Sequence, residues 1–310
     1  MLGALALTAG AAQADDPSRS PLPAPTVTLT PAQIALYQPL PVYDNAIPVL
    51  AYHSIGTTTS DGYTVTQLEF ATQMAMLHQA GFHSISAQQY YAFLHGHTNV
   101  LPSRPILITF DDGKLGSYQG ADQVLAANGF RALMFVIAGN VGHTSYLNWD
   151  ELRTMQASGR WDLEEHAGYG HVLVKYAQGK TGAYYAYRKL LSTGQLETYA
   201  DYQARVTRDV AWGNTQLKAQ IPGFVSYFFA VPYSNYGQDG TNDQRIPHYM
   251  LHVLERAFDA VFVDDRPAWS HTNQDHSLVQ RLGIHSTTTS DGLYGWLHAH
   301  QPADAGVTAG

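Results

Sequence analysis

Ile106-Leu107-Ile108-Thr109-Phe110 is an almost wholly apolar run bounded by Pro105, and it delivers two adjacent carboxylates, Asp111 and Asp112, just before Gly113. A short apolar run with these flanks reads as a buried strand. Neighbouring side chains in a strand point to opposite faces, and a sharp turn at Gly113 can bring both acids toward one cleft by different routes. Two bare carboxylates side by side repel and raise each other's pKa. A metal dication removes that cost: one carboxylate ligates it while the other stays free as a base. Asp-Gly is also common in turns and caps, so the rest of the chain has to decide between the two readings.

Strand-like and helix-like patterns alternate through most of the 310 residues. Strands are expected at 48–53, 82–86, 106–110, 132–138, 161–164, 226–231, 260–263 and 282–284. Helices are expected around Phe70, Met74 and Leu77 with a stop at Gly81, over 87–94 and 121–127, and from an Asn148–Glu151 capping box to Gly159, and Leu293 to His298 ends the domain. Alternation of this kind implies a parallel sheet with crossover helices, and the number of units suits a closed or nearly closed barrel. Asp111 and Asp112, His166, Tyr233, Asp264 and Asp265, and His285 all follow predicted strands. In a parallel barrel those ends converge on one face, the face where catalysis occurs.

His166 and His171 are separated by a stretch containing Gly168 and Gly170. On a helix that spacing rotates the two rings apart, whereas a glycine-bearing loop can fold both onto one ion. With Asp112 they supply two nitrogens and an oxygen and leave positions open for water and substrate, the arrangement of a catalytic rather than a structural zinc site. With 15 histidines in the chain, a close pair by itself is unremarkable; its place on the predicted catalytic face gives it weight.

The chain has no cysteine, so a disulfide framework and a thiolate metal site are both excluded. A net charge of −8 with no basic stripe argues against a nucleic-acid partner. Leu2 to Ala14 is a small-residue apolar run ending in Ala12-Gln13-Ala14, like the core and cleavage site of a secretory signal, although no positive region precedes it. No other apolar stretch is long enough to span a bilayer. The expected organisation is a signal remnant over 1–14, a Pro-rich linker or surface arm over 15–47, one catalytic domain over 48–299 and a loose tail over 300–310. The Tyr-rich segment 172–225 reads as one or two helices packed by their tyrosine faces, and 234–242 as a polar loop suited to substrate contacts.

Thr109-Phe110-Asp111-Asp112-Gly113, the His166…His171 pair, Ala230-Val231-Pro232-Tyr233 and Leu282-Gly283-Ile284-His285 resemble, in order, four motifs of the polysaccharide deacetylases, the NodB-homology enzymes of carbohydrate esterase family 4. The resemblance runs from about Pro48 to His298. It implies a distorted (β/α)7 barrel and metal-dependent removal of acetyl groups from a glycan. It assigns Asp111 as catalytic base, Asp112, His166 and His171 as metal ligands, and His285 as catalytic acid. Tyr233 matches the residue whose backbone N–H binds the oxyanion, and Leu282 and Ile284 match the walls of the acetyl-methyl pocket. Trp269 matches a cleft aromatic, and Asp264 or Asp265 a carboxylate that orients the acid.

Many members carry an arginine just before the Pro motif, bonded to the catalytic aspartate. Here that segment is Phe228-Phe229-Ala230-Val231-Pro232, and the histidine spacing is five rather than the commoner four. Both departures resemble the branch that deacetylates poly-N-acetylglucosamine. The expectation is therefore a secreted, periplasmic or cell-envelope enzyme that uses zinc, or alternatively cobalt or nickel, on an N-acetylglucosamine polymer. An O-acetyl (xylan-type) esterase or another metal-dependent amide hydrolase is the alternative on the same barrel, and a non-catalytic glycan-binding domain is a further one.

Overall fold

The computed structural model of the chain describes residues 16–43, 45–58, 61–272 and 278–302. The expected signal segment lies outside these residues. Seven barrel positions are filled by β1 (Val49–Tyr52), β2 (Pro105–Phe110), β3 (Ala132–Ile137), β4 (Trp161–Ala167), β5 (Phe228–Ala230), β6 (Ala260–Val263) and β7, the 279–283 stretch formed by Val279–Gln280 and Leu282–Gly283. The eight described helices are α1 (Pro31–Leu36), α2 (Gln67–Gln79), α3 (Ala87–Leu94), α4 (Leu115–Ala127), α5 (Trp149–Ala157), α6 (Tyr199–Gln220), α7 (Ile246–Glu255) and α8 (Ser290–Ala299).

Every barrel pairing is parallel, in the order β1-β2-β3-β4-β5-β6. β7 brings the sheet round on itself. Val279 and Gln280 pair with Phe262 and Val263 of β6, and Leu282 and Gly283 pair with Leu50 and Ala51 of β1. Arg281 sits where the strand changes partner. The result is the expected α/β architecture, a distorted and nearly closed (β/α)7 barrel. The strands read as continuous apolar runs because both faces are covered; every residue of β2 and β3 is buried. Inside the barrel Phe135, Phe228 and Phe262 pack with ring centroids 5.3 and 5.2 Å apart. From α3, Tyr90 packs on Phe262 at 5.7 Å.

Several boundaries differ from the sequence expectation. α4 starts at Leu115 rather than Ala121, because Gly116 and Gly120 hide a helix whose backbone approaches a neighbour: a Cβ on Gly120 would lie 2.5 Å from Ile55 Cγ2. β4 continues through Glu164, Glu165 and His166 to Ala167, so His166 lies within the strand rather than after it. Burial pushes both glutamate carboxyls well above the usual carboxylate range. Glu164 Oε2 also accepts from the Tyr227 and Phe228 N–H groups at 2.9 Å each.

Segment 172–225, expected as one or two helices packed by their tyrosine faces, holds one helix and a hairpin before it. It opens as an antiparallel hairpin (Leu173–Ala177 with Lys180–Ala183) and continues as the single 22-residue α6. The Pro-rich segment packs on the barrel: Tyr37, Leu40 and Tyr43 are buried in the main core, and Arg19 Nε donates to Glu151 Oε1 at 2.6 Å. Among the described residues no helix is long and apolar enough to cross a membrane.

Candidate active site

The C-terminal ends of the barrel strands open into a cleft of about 740 Å³. Asp111 ends β2, and the chain then turns sharply through two successive left-handed residues, Asp112 at φ 77° and Gly113 at φ 73°. A left-handed non-glycine residue is costly. Here the turn lets two neighbouring aspartates reach the cleft together.

Oδ1 of Asp112 lies 3.5 Å from His166 Nε2 and 3.3 Å from His171 Nε2. One ligand atom from each of these three residues falls within 4.8 Å of the others. Asp112 Oδ2 is occupied differently, 3.5 Å from Lys114 Nζ. Asp112 Oδ1 is buried with no hydrogen-bond partner among the described residues, an orphan acceptor flanked by two imidazoles. His166 Nδ1 lies 2.7 Å from the Ala230 carbonyl oxygen, so this nitrogen carries the proton and Nε2 presents its lone pair.

Charge states suit the same reading. His171 is pushed down to about 4, first by burial and then by the neighbouring His166, so its ring is neutral at pH 7. Burial works against ionisation of Asp112, but the two imidazoles beside it, His166 ahead of His171, outweigh it and hold the carboxyl well below the usual range. For His166 burial is likewise outweighed, by Asp111 and Asp112, and its pKa is raised; a bound cation competes with that proton. Orphan oxygen, free ring nitrogens and donor chemistry all fit a divalent ion.

Asp111 is held from the other side. Arg281 Nη1 and Nη2 donate to Asp111 Oδ1 and Oδ2 at 2.7 Å each, and Arg281 Nε donates to Asp264 Oδ1 at 2.6 Å. The guanidinium is fully buried, with its carbon 5.5 Å over the Phe135 ring at the top of the barrel core. Burial alone would raise the Asp111 carboxyl; Arg281 first and His166 second pull it below its ordinary value of 3.8. Sequence reasoning missed Arg281. Its signal was a lone cation immediately before Leu282–Ile284, the stretch expected as a strand.

The remaining expected residues divide. Tyr233, Leu282, Asp264 and His285 line the cleft. Tyr233 sits in a turn after β5 at φ 58°, followed by Ser234 at 49°, with its ring 4.4 Å from that of His171. Ile284 does not form a cleft wall: it is 0% exposed inside the main core, so no ligand atom can reach it. Trp269 is also in that core, 5% exposed and edge-on to Tyr43 at 5.3 Å, because the N-terminal arm covers it. Asp264 serves Arg281 rather than His285, and Asp265 Oδ2 meets Gln238 at 3.4 Å. His285 instead packs on Tyr63, with centroids 5.3 Å apart, and Tyr63 packs on His53 at 5.1 Å. His53 and Tyr63 are cleft residues that sequence reasoning did not single out as such; His53 follows β1 as Asp111 follows β2.

Comparison with known proteins follows the same lines. Residues 98–246 match the family described as Polysaccharide deacetylase. The poly-beta-1,6-N-acetyl-D-glucosamine N-deacetylase of Staphylococcus aureus (strain MRSA252) is 31% identical over 125 residues, covering 38% of this chain and 42% of that protein. The chain thus spans about two fifths of the length of the curated relatives it matches. Among solved structures, IcaB from Ammonifex degensii superposes with a TM-score of 0.64 at 26% identity, over 82% of this chain and 97% of that one. A de-N-acetylase from Aggregatibacter actinomycetemcomitans shares the fold, with a TM-score of 0.70 at 19% identity over 82% of this chain and 100% of that one. Motif order, barrel, cleft and relatives agree with the family match: residues 98–246 carry a polysaccharide deacetylase domain.

Proposed function

We propose that the chain hydrolyses the N-acetyl groups of an N-acetylglucosamine polymer, releasing acetate and leaving an amine. The observation that carries this reading is the pairing, in one cleft, of a three-residue ligand set with a separately anchored carboxylate. Asp112, His166 and His171 would hold a divalent ion, zinc first among those that nitrogen and oxygen donors accept. When bound, such an ion polarises the acetyl carbonyl and lowers the pKa of water beside it.

Asp111 is the base. It is free of the ligand set, and its carboxylate stays ionised beside Arg281, ready to take the proton of the attacking water. The Tyr233 backbone N–H donates to the oxyanion that forms as water adds to the carbonyl carbon. Removing one such donor costs about 2.7–4 kcal/mol in other hydrolases. His285 then gives a proton to the departing nitrogen, so that the C–N bond breaks to acetate and a free amine. Leu282 offers an apolar wall for the acetyl methyl group. A glycan-binding domain without chemistry needs neither the orphan oxygen nor the anchored base.

The substrate follows the relative's printed name and the two motif departures. A neutral polymer is not repelled by a chain of net charge −8. In an assay of acetate release at equal acetyl concentration, N-acetylglucosamine oligomers are expected to outrun acetylated xylan, and a chelator is expected to stop both reactions. Preference for xylan would reassign the substrate to an O-acetyl ester.

Asp111→Asn is expected to keep its ion by elemental analysis and to lose about 10²–10⁴-fold in turnover, the usual worth of a positioned general base. His166→Ala is expected to lose the ion. If Asp111→Asn loses the ion instead, the two carboxylates have exchanged roles.

Arg281→Met leaves Asp111 and Asp264 without their shared cation, and breaking a buried pair costs about 3–5 kcal/mol. Urea denaturation reads that loss. The Asp111 carboxyl lies below its ordinary 3.8 in the folded chain, so it stabilises the fold above that pH, and the contribution is lost as pH falls through the lowered value. Removing Arg281 raises the folded value, which moves the acid limb of the kcat/KM profile to higher pH. An unchanged acid limb would show that Arg281 does not set the ionisation of the base.

Export is part of the same proposal, resting on Ala12-Gln13-Ala14. Edman sequencing of protein collected outside the cytoplasm should begin at Asp15, and an intact Met1 on the exported protein would contradict it.

A further inference from the structure

The buried face of α6 carries Tyr202, Val206, Val210 and Leu217, with one carboxylate among them, Asp209, only 7% exposed. A buried carboxylate is costly unless its oxygens are satisfied. Those of Asp209 are. Oδ1 accepts from Tyr169 N–H at 2.7 Å, and Oδ2 accepts from Gly168 and Gly170 N–H at 3.1 and 3.0 Å. The Tyr185 hydroxyl also donates to Oδ2, at 2.5 Å. Three consecutive backbone amides thus converge on one anion, as in a backbone nest, except that the anion belongs to the chain.

These three amides lie inside the interval between His166 and His171. The approach is too close for side chains. A Cβ on Gly168 would stand 2.5 Å from the Asp209 carbonyl oxygen, and one on Gly170 would stand 2.5 Å from Tyr185 Oη and 2.8 Å from Asp209 Oδ2. On the helix side, a Cβ on Gly213 would stand 3.0 Å from Gly168 N. The opposite edge of the loop is tied as well, where Gly139 N–H donates to the Gly168 carbonyl at 2.8 Å. His166 is fixed by its strand. His171 lies in no strand; its ring packs on that of Tyr233, and the chain reaches its place beside Asp112 by way of residues 168–170.

We propose that Asp209 is the positioning residue of the metal loop, holding residues 168–170 so that His171 stands beside Asp112 and His166 before an ion binds. The proposal rests on the reading that these three residues take a divalent cation. It assigns a task to the Tyr-rich segment: the turn after the hairpin brings Tyr185, and α6 brings Asp209, to the loop from behind. Partners one step removed from the ligands typically set 10–100-fold in metal affinity, and a preorganised loop contributes by avoiding the ordering cost on binding.

The test titrates Zn2+ into metal-stripped wild-type, Asp209→Asn and Tyr185→Phe proteins by competition with a chromophoric chelator, and records Co2+ absorption spectra of the same three. Asp209→Asn keeps the shape but turns an amide N–H2 toward donors. It is expected to weaken Zn2+ binding about 10–100-fold and to alter the Co2+ ligand-field bands. Saturating Zn2+ is expected to restore most of kcat, with KM for the glycan unmoved. Tyr185→Phe, which removes one hydroxyl and leaves the three amide bonds, should weaken Zn2+ binding by a smaller factor of the same sign. Wild-type Zn2+ affinity and spectrum in Asp209→Asn would overturn the proposal, as would a kcat loss that saturating Zn2+ does not repair. Should Asp209→Asn fail to fold, Tyr185→Phe decides, and unchanged affinity there overturns the proposal. A wild-type protein that binds neither Zn2+ nor Co2+ would overturn the metal reading itself, a result separate from unchanged affinity in the variants.

Discussion

The buried guanidinium of Arg281 is the interaction on which the cleft depends. It stands at the residue where β7 leaves β6 and joins β1, so the point of barrel closure is also the point of charge. Below it lies Phe135 of the apolar interior; beside it lie Asp111 and Asp264. A lone buried cation or a lone buried carboxylate would be severely destabilising, but a planar fork that fills both oxygens of one acid and one of another is not. The geometry also separates the two neighbouring aspartates. Asp111 is committed to arginine, whereas Asp112 turns away with one oxygen left open. Adjacent carboxylates thereby acquire different surroundings, and different surroundings are what allow them different chemistry.

Backbone strain gathers at the same place. Of the four described non-glycine residues with positive φ, three border the cleft: Asp112, Tyr233 and Ser234. Such conformations persist only where the surroundings over-determine them. For Asp112 these are the preceding strand and the following Gly113. For Tyr233 and Ser234 they are the strand before and the side-chain bond from Ser234 Oγ, which accepts from Asp264 N–H at 2.8 Å. The strain fixes the direction of one carboxylate and one backbone amide at the mouth of the cleft.

Support for the cleft comes in layers. The aromatic interior keeps the strands apart at fixed spacing and carries Arg281. Outside it, α6 and the turn after the hairpin brace the histidine loop through Asp209 and Tyr185. The N-terminal arm closes over Trp269 and inserts Tyr37 into the main core, where its hydroxyl donates to Asp291.

Much of this was legible in the residues alone. Continuous apolar strands, their alternation with helices, and acids and histidines at strand ends determined the barrel and the face of the site, because hydrophobic periodicity and strand polarity are local properties. That Asp112, His166 and His171 come together was legible in part for the same reason, with Asp112 just after a strand, His166 near the end of one and His171 in the glycine-bearing loop beyond it. Tertiary structure alone decided which distant residues meet. Arg281 reaches Asp111 across 170 positions of chain, and Asp209 reaches Gly168 across 41. Trp269 and Ile284 went to the core, and Asp264, in the cleft, is bonded to arginine, although the resemblance assigned the first two to substrate and the third to the catalytic acid. Nothing local distinguishes a buried cation from a surface one, or a glycine that ends a helix from one that admits a neighbour. That distinction is made by what packs against the residue, which exists only once the chain has folded.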